Sequence, residues 1–395
     1  MSARYIILKK QPSPTRDIFS ETIHAAGIGV APPPSTGVSV TVDDAPRSAL
    51  RQIAAAPDTL AVAPVMPMQL VKPVLRNVTA GPAQAWGIGA VGADTTPYDG
   101  TGIVVAVIDT GIDASHSAFE GVTLVQRDFT GEGNGDQNGH GTHCAGTIFG
   151  RPVDGTRIGV APGVTRALIG KVLDKYGSGT SDNIARAILW AVEEGAHVIS
   201  VSIGMDFGGY VEALHAQGLP IPMATSRALE GYRANTRLFD SLSALVRSGG
   251  LGAQPTIIVA AAGNESEREL GPEFEVAVAP PAVAEGVVSV GAFGLKGEQY
   301  GIANFSNTGP NLSAPGVDVI SAAAGGGLAT MSGTSMATPY VAGVAAIWAQ
   351  KLLDSGGLSV FQLTAKLAGT ASDANIVAGA DPVDYGAGMA QCPRI

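Results

Sequence analysis

The sequence predicts an α/β fold: a doubly wound, mostly parallel sheet with helices on both faces, preceded by a small α+β unit. Three observations lead there. Of 395 residues, 45% are hydrophobic, only 5% are aromatic and 53 are Gly, which suits an Ala/Val/Ile-rich interior with closely packed backbones. Short runs rich in β-branched residues alternate with stretches of helical period, the pattern of right-handed strand–helix–strand crossovers. No fixed-period repeat competes with this reading.

Residues 1–80 read as the α+β unit. "RYIILKK" and "GVSVTVD" suggest strands, "APRSALRQIAAA" a short helix, and "TLAVAPVMPMQLV" another strand, with the Pro-rich "APPPS" between them. From residue 81 the larger unit begins. "GTGIVVAVIDTGIDASH" holds a buried strand that ends on a lone acid, Asp109. "RALIGKVLD", "HVISVSIG", "TIIVAAAGN" and "GVVSVGAF" follow as strands, and "SDNIARAILWAVEEG", "TRLFDSLSALVRSGG" and "MATPYVAGVAAIWAQKLLD" as helices. In such sheets ligands gather beyond the carboxyl ends of the strands.

The formal charge of −10 disfavours a nucleic-acid partner. No window approaches eighteen apolar residues, so no membrane partner is expected. "MSARYIILKKQPSPTRDIF" does not read as a signal peptide, and a cytoplasmic location is the expectation, with signal-independent export left open. Two cysteines, Cys144 and Cys392, make no disulfide framework.

Three groups carry chemical promise. Asp109 follows "VVAVI" and precedes "TG"; alone it reads as a strand-end acid capping a turn. His140 lies between two glycines in "NGHGTHCAGTI"; with His143 it suggests metal, but divalent sites want three or four ligands and nothing nearby supplies a convincing third. Ser335 sits in "GTSMATPYVAG", where Thr334 or Ser335 is expected to cap a helix and Pro339 to lie near its first turn. Capping does not explain the crowd of small residues around one hydroxyl. A serine needs a base to attack anything, and that imidazole needs a carboxylate to hold its tautomer.

"VVAVIDTGIDASH", "NGHGTHCAGT" and "GTSMATPYVAGVAA" together resemble the signature blocks of the subtilisin-like serine proteases, in that family's order Asp, His, Ser. "HGTHCAG" is similar to the proteinase K branch, whose Cys after this motif lies under the active site. The resemblance implies a serine endopeptidase with Asp109, His140 and Ser335 as the triad. Asn264 in "VAAAGNES" becomes the oxyanion-hole amide. Gly177, Ser178 and Gly179, with Ser202, Ile203 and Gly204, become the two edges that pair with an extended peptide, and Ala262 and Gly263 line the pocket beside them. The alternative is an inactive peptide-binding relative. Residues 1–80 resemble the family's inhibitory propeptide in size and pattern, with "VMPMQLVKPV" as a product-like strand, so the expected partners are a peptide or protein substrate and the chain's own N-terminal unit.

The chain also departs from the family. Ala118 and Asn311 stand where acidic calcium ligands are common, so no metal or other cofactor is expected to be required, though carbonyl-rich loops leave weak calcium binding open. An insertion of roughly thirty residues, near 205–238, is too long for an idle loop and suggests a helical flap or contact surface, one that would restrict or gate the substrate groove. The acids Glu265, Glu267, Glu269, Glu273 and Glu275 read either as a solvated face or as a preference for basic residues before the cut.

Overall fold

The computed structural model describes residues 2–11, 37–70, 74–78, 84–248, 254–271 and 273–394; the Pro-rich stretch at 31–35 lies outside them. Strand β1 (Ser2–Lys10) runs between β2 (Val38–Pro46) and β3 (Thr59–Pro64), antiparallel to both, with helix α1 (Leu50–Ala54) joining the latter two. Ile6 and Leu8 share one face of β1 and are buried, as a period of two requires. The single strand expected over 59–71 is in fact two. Pro64 and Pro67 lack the N–H a continuous ladder needs, and β4 (Pro67–Leu70) joins a different sheet. Strand β5 (Val74–Val78) joins a third, and α2 (Trp86–Ala90) leads into the larger unit.

In chain order the larger unit contains β6 (Val104–Asp109), β7 (Thr123–Asp128), α3 (His140–Phe149), β8 (Arg166–Lys171), β9 (Ser178–Thr180), α4 (Ser181–Glu193), β10 (Val198–Val201) and β11 (Ile203–Met205). There follow α5 (Phe207–Ala216), α6 (Ile221–Arg247), β12 (Ile257–Ala261), β13 (Val287–Lys296), β14 (Gln299–Ile302), β15 (Leu312–Pro315), β16 (Val319–Ala322) and β17 (Leu328–Ser332). Helices α7 (Thr334–Asp354), α8 (Val360–Thr370) and α9 (Pro382–Tyr385) close the chain. The main sheet has the order β14-β13-β12-β10-β6-β8-β7, with β15 also on β13; only β14 is antiparallel.

Both faces of this sheet are covered, which is why its strands read as unbroken apolar runs. In β6, Val105 and Val107 enter one core with α3 and α7, while Ala106 and Ile108 enter the other with α4 and α6. In β12, Ile257 and Val259 divide from Ile258 and Ala260 in the same way. Residues 334–349 of α7 are all buried, so this helix runs through the interior and carries its first turn to the sheet's carboxyl edge.

The insertion is helical and forms a contact surface. It forms α5 and extends α6 at its N-terminal end, and these pair through Phe207, Val211, Leu214, Leu219, Ala224 and Ala228. Helix α6 receives the N-terminal unit. Asn235, fully buried, donates from Nδ2 to the Pro64 carbonyl at 2.9 Å, and Arg47 pairs with Glu230. At the start of α4, Ser181 N donates to the Met66 carbonyl while Ser181 Oγ accepts from Met66 N, both at 3.0 Å. The unpaired first-turn amide of that helix is thus satisfied by the incoming segment. A cavity of about 620 Å³ remains at the seam, lined by Tyr5, Leu50, Val62, Tyr210 and Leu214 among others, away from the residues of catalytic promise.

Candidate active site

Asp109 ends β6 and His140 opens α3. His140 Nδ1 lies 2.8 Å from Asp109 Oδ1, which also accepts the Thr110 amide at 2.7 Å; both side chains are buried. Gly139 is the residue before α3 and adopts φ +97°, a conformation suited to glycine, so it offers no side-chain cap. Asp136 supplies the cap. Its Oδ2 accepts from Thr142 N at 2.9 Å and Thr142 Oγ1 at 2.6 Å, and its Oδ1 from Gly139 N at 2.8 Å and Thr110 Oγ1 at 2.9 Å. Thr110 Oγ1 in turn accepts from Gly141 N at 2.9 Å. One carboxylate therefore ties the turn after Asp109 to the turn that carries His140, with charge-assisted bonds at a helix N-terminus. Asp136 was not singled out from the sequence, although "D" four residues before a helix-opening His is a legible cap signal.

Burial by itself opposes charge on His140, but the Asp109 carboxylate, its hydrogen bond and the nearby Cys144 sulfur outweigh it and hold the imidazole pKa well above the usual histidine value. His140 Nε2 has no hydrogen-bond partner. His143 points elsewhere. Its Nε2 faces the Val319 and Ala329 carbonyls at 3.1 and 3.2 Å, and burial, with His140 nearby, lowers its pKa to about 3. It is a neutral clamp on β16 and β17. The donor atoms of Asp109, His140 and Cys144 lie within 4.8 Å of one another, so a third potential metal ligand does stand beside His140, and it is the cysteine rather than His143. His140 Nδ1 is already engaged by Asp109 there.

Ser335 is the second residue of α7 and is buried. Neither Thr334 nor Ser335 caps the helix, contrary to the sequence reading: Gly333 holds the cap position with no side-chain bond. Pro339 lies inside the helix and has no N–H to offer the Ser335 carbonyl. That carbonyl is left free to accept from Ser202 Oγ at 3.1 Å and Cys144 Sγ at 3.5 Å. Cys144 is 3.7 Å from His140 Nδ1, so one thiol touches both the imidazole and the serine's backbone. Ser335 Oγ donates to the Ser202 carbonyl at 3.1 Å rather than to His140.

Asn264 follows β12. Its Oδ1 accepts from Thr334 N at 2.9 Å and Thr334 Oγ1 at 2.8 Å, which turns Nδ2 the other way. A Cβ at Gly333 would come within 2.9 Å of that Nδ2, one reason for a glycine there. Ala262 and Gly263 lead into this loop, with Gly263 N donating to Thr334 Oγ1 at 3.2 Å. The loop is held from behind by Asn307, fully buried and unnoticed in the sequence. Asn307 Nδ2 donates to the Ala262 carbonyl and Glu265 Oε2, and its Oδ1 accepts from Glu265 N and Ser266 N.

The two expected groove edges, Ser178–Gly179 on β9 and Ile203–Gly204 on β11, face each other across β4. That strand is antiparallel to both: Met68 lies opposite Gly179 and Met205, Gln69 opposite Ser178 and Gly204, and Leu70 opposite Ile203. Leu70 N donates to the Gly177 carbonyl at 2.8 Å. Gly177 has φ +78°, and a Cβ on it would sit 2.9 Å from Leu70 Cβ, so this edge depends on glycine. Met68 is fully buried and Leu70 nearly so.

The subtilase family model matches residues 100–388. The chain belongs to the subtilase family. It is 35% identical to an "Intracellular serine protease" of Paenibacillus polymyxa over 63% of this chain and 67% of that one. Identity is 37% to a "Thermophilic serine proteinase" of Bacillus sp. (strain AK1), over 64% and 53%, and 34% to a "Thermostable alkaline protease" of Halalkalibacterium halodurans, over 70% and 66%. The matched stretch thus spans about half to two thirds of these relatives' lengths. None of the helices among the subtilase's described residues is long and apolar enough to cross a membrane.

At the positions where subtilases often carry calcium-binding acids, Ala118 is buried and Asn311 Oδ1 is committed to Ser289 N and Oγ at 2.8 and 2.9 Å. The acidic run is also partly committed: Glu265 to Asn307, and Glu275 to Arg268 at 3.3 Å, while Arg268 reaches Asp384 at 2.8 Å. Glu265, Glu267, Glu269 and Glu273 are exposed. Among the described residues only Glu275 of the five is paired with a cation, so the alternative of a preference for basic residues rests on four acids.

Proposed function

We propose that this subtilase is a serine endopeptidase that is made with its N-terminal unit as an intramolecular inhibitor and processes itself. The observation that carries the reading is the pairing of Asp109 with His140 at 2.8 Å, with Nε2 left unpartnered and the Cys144 thiol touching both His140 Nδ1 and the Ser335 carbonyl. Ser335 Oγ bonds to the scissile carbonyl carbon as its proton passes to His140 Nε2. The imidazolium, held by Asp109, then gives that proton to the amine as the C–N bond breaks, and water repeats the sequence to release the acid. Negative charge on the carbonyl oxygen meets Asn264 Nδ2 and the Ser335 N–H, one of the first-turn amides with no intrahelical acceptor. Gly177–Gly179 and Ser202–Gly204 bind the substrate backbone before the cut, which makes recognition broad in sequence, and Ala262 and Gly263 border the pocket for the residue at the cut. No cofactor takes part in these steps; calcium would have only loop carbonyls and non-acidic side chains at its usual positions.

One observation favours an inert peptide-binding subtilase instead: Ser335 Oγ is bonded to the Ser202 carbonyl. A χ1 step separates staggered positions of a serine hydroxyl, and catalytic hydrogen bonds often form only with substrate in place, so the triad reading is preferred. A fluorophosphonate separates the two. The protease gains one adduct mass, located on the peptide that contains Ser335. An unmodified Ser335 at saturating reagent, in protein freed of its N-terminal unit, sinks the proposal.

A further inference from the structure

We propose that the cavity at the seam between the N-terminal unit and the inserted helices is a binding site for a small amphipathic carboxylate, an acid with an apolar body, and that this ligand holds the two units together. The second half rests on the protease reading above; the first does not. Two walls of unlike origin enclose the space. Tyr5 of β1, Leu50 of α1 and Val62 of β3 stand on one side, and Tyr210 and Leu214 of α5 with Ala234 of α6 on the other, around about 620 Å³. That volume lies within the usual range for pockets that take small organic ligands. The insertion builds the second wall.

Apolar side chains suit the body, and the polar groups choose the head. Arg47 is already paired with Glu230. Arg227 borders the same cavity, and among the described residues its guanidinium has no hydrogen bond or ion pair. A second hollow, of about 710 Å³ beside Leu219, Pro220 and Met223, shares Arg47, Arg227 and Glu230 with the first. Two guanidiniums and one carboxylate leave this junction with one unmatched positive charge, which an anion complements. Burial pushes the Tyr210 phenol above its usual value while Arg227 works the other way, so the phenol lies within the field of Arg227 and stays a donor at neutral pH. A carboxylate there accepts from both, with its apolar body against Leu50, Val62 and Leu214. Because neither wall is complete without the other, the site exists only while the N-terminal unit is docked. A ligand that binds only that state stabilises it by mass action. It therefore delays release of the N-terminal unit and, with it, the onset of hydrolysis.

The binding test uses full-length Ser335→Ala, in which the N-terminal unit stays attached, and isothermal titration calorimetry with two matched pairs of probes. Octanoate and octanamide differ in head-group charge, as do N-acetyl-leucylleucine and its amide; the tighter of the two acids says whether an aliphatic or a peptide body is preferred. Each acid is expected to bind one to one and about fivefold tighter than its amide, the size of an exposed charge pair. Arg227→Gln, at an exposed position, should erase that preference and leave amide binding unchanged. Ala54→Phe, which puts a ring into the cavity from an exposed position on its lining, should weaken all four. In the wild-type chain, octanoate at about ten times its dissociation constant should lengthen the lag before activity about tenfold, and the same concentration should lengthen it only about threefold in Arg227→Gln. No binding up to the solubility limit, acids and amides bound alike, or an acid preference that survives Arg227→Gln overturns the site. Binding with an unchanged lag overturns the coupling. Binding to a chain that never gains activity overturns the protease reading while the site stands.

Discussion

Ser335→Ala lowers peptide hydrolysis by about 10⁶-fold in kcat, a magnitude carried over from subtilisin rather than from this geometry. The protein should still fold. Ser335 Oγ makes one hydrogen bond, to the Ser202 carbonyl, and that carbonyl belongs to a groove edge that is also held by β4. The α7 turn keeps its other ties: Thr334 to Asn264, and the Ser335 carbonyl to Ser202 Oγ and Cys144. The same variant should begin at Met1 or Ser2 on N-terminal sequencing, whereas the wild type begins further along the chain. Identical N-termini for the two would remove self-processing from the account.

Asp109→Asn is the second large effect, about 10⁴-fold in kcat by analogy with the same change in a chymotrypsin-type triad. Asp109 does two things here. Its hydrogen bond to Nδ1 would, on the proposed reading, hold the tautomer that leaves Nε2 to accept the serine's proton, and it is the main cause raising the His140 pKa against the cost of burial. A base works only when neutral, so wild-type kcat/KM rises with pH through a pKa above the ordinary value of about 6.5. In Asp109→Asn the residual activity should show that rise shifted to lower pH, because burial then acts on His140 without its counter-charge. A pH profile for both proteins checks the direction. An unshifted limb would mean that another group titrates.

The residues of the candidate site that the sequence singled out are those whose proposed chemistry cannot be done by another residue. Asp109, His140, Asn264 and Ser335 each sit at the end of an element, set among small residues, and the strands that carry them are apolar runs because both faces of the sheet are buried. Parts that act by hydrogen-bond geometry were silent. Asp136 looks like any loop acid until the turns around Thr110 and Thr142 fold onto it, and Asn307 becomes a bracket only when the loop after β12 closes around its amide. Pro339 was legible as a helix irregularity but misplaced in purpose: the absent N–H frees the Ser335 carbonyl rather than marking the helix start. The break between β3 and β4 was written in two prolines, yet which sheet each half would join depends on α4 and α6, remote in sequence. Helix α3 was missed because Gly139, Gly141 and Gly146 weaken every local helix signal while suiting tight packing, Gly141 against the Gly111 carbonyl and Gly146 against Ser321.

The measurement closest to the central claim is the mass spectrum of a denatured protein pool after incubation with the purified chain. The account predicts new carboxyl termini at many sequences, concentrated in extended stretches with apolar residues at alternate positions before the cut, as Met68 and Leu70 are in the chain's own groove. It predicts none from Ser335→Ala prepared identically. No new ends from the wild type once its N-terminal unit has been removed, or the same ends from both proteins, would contradict it.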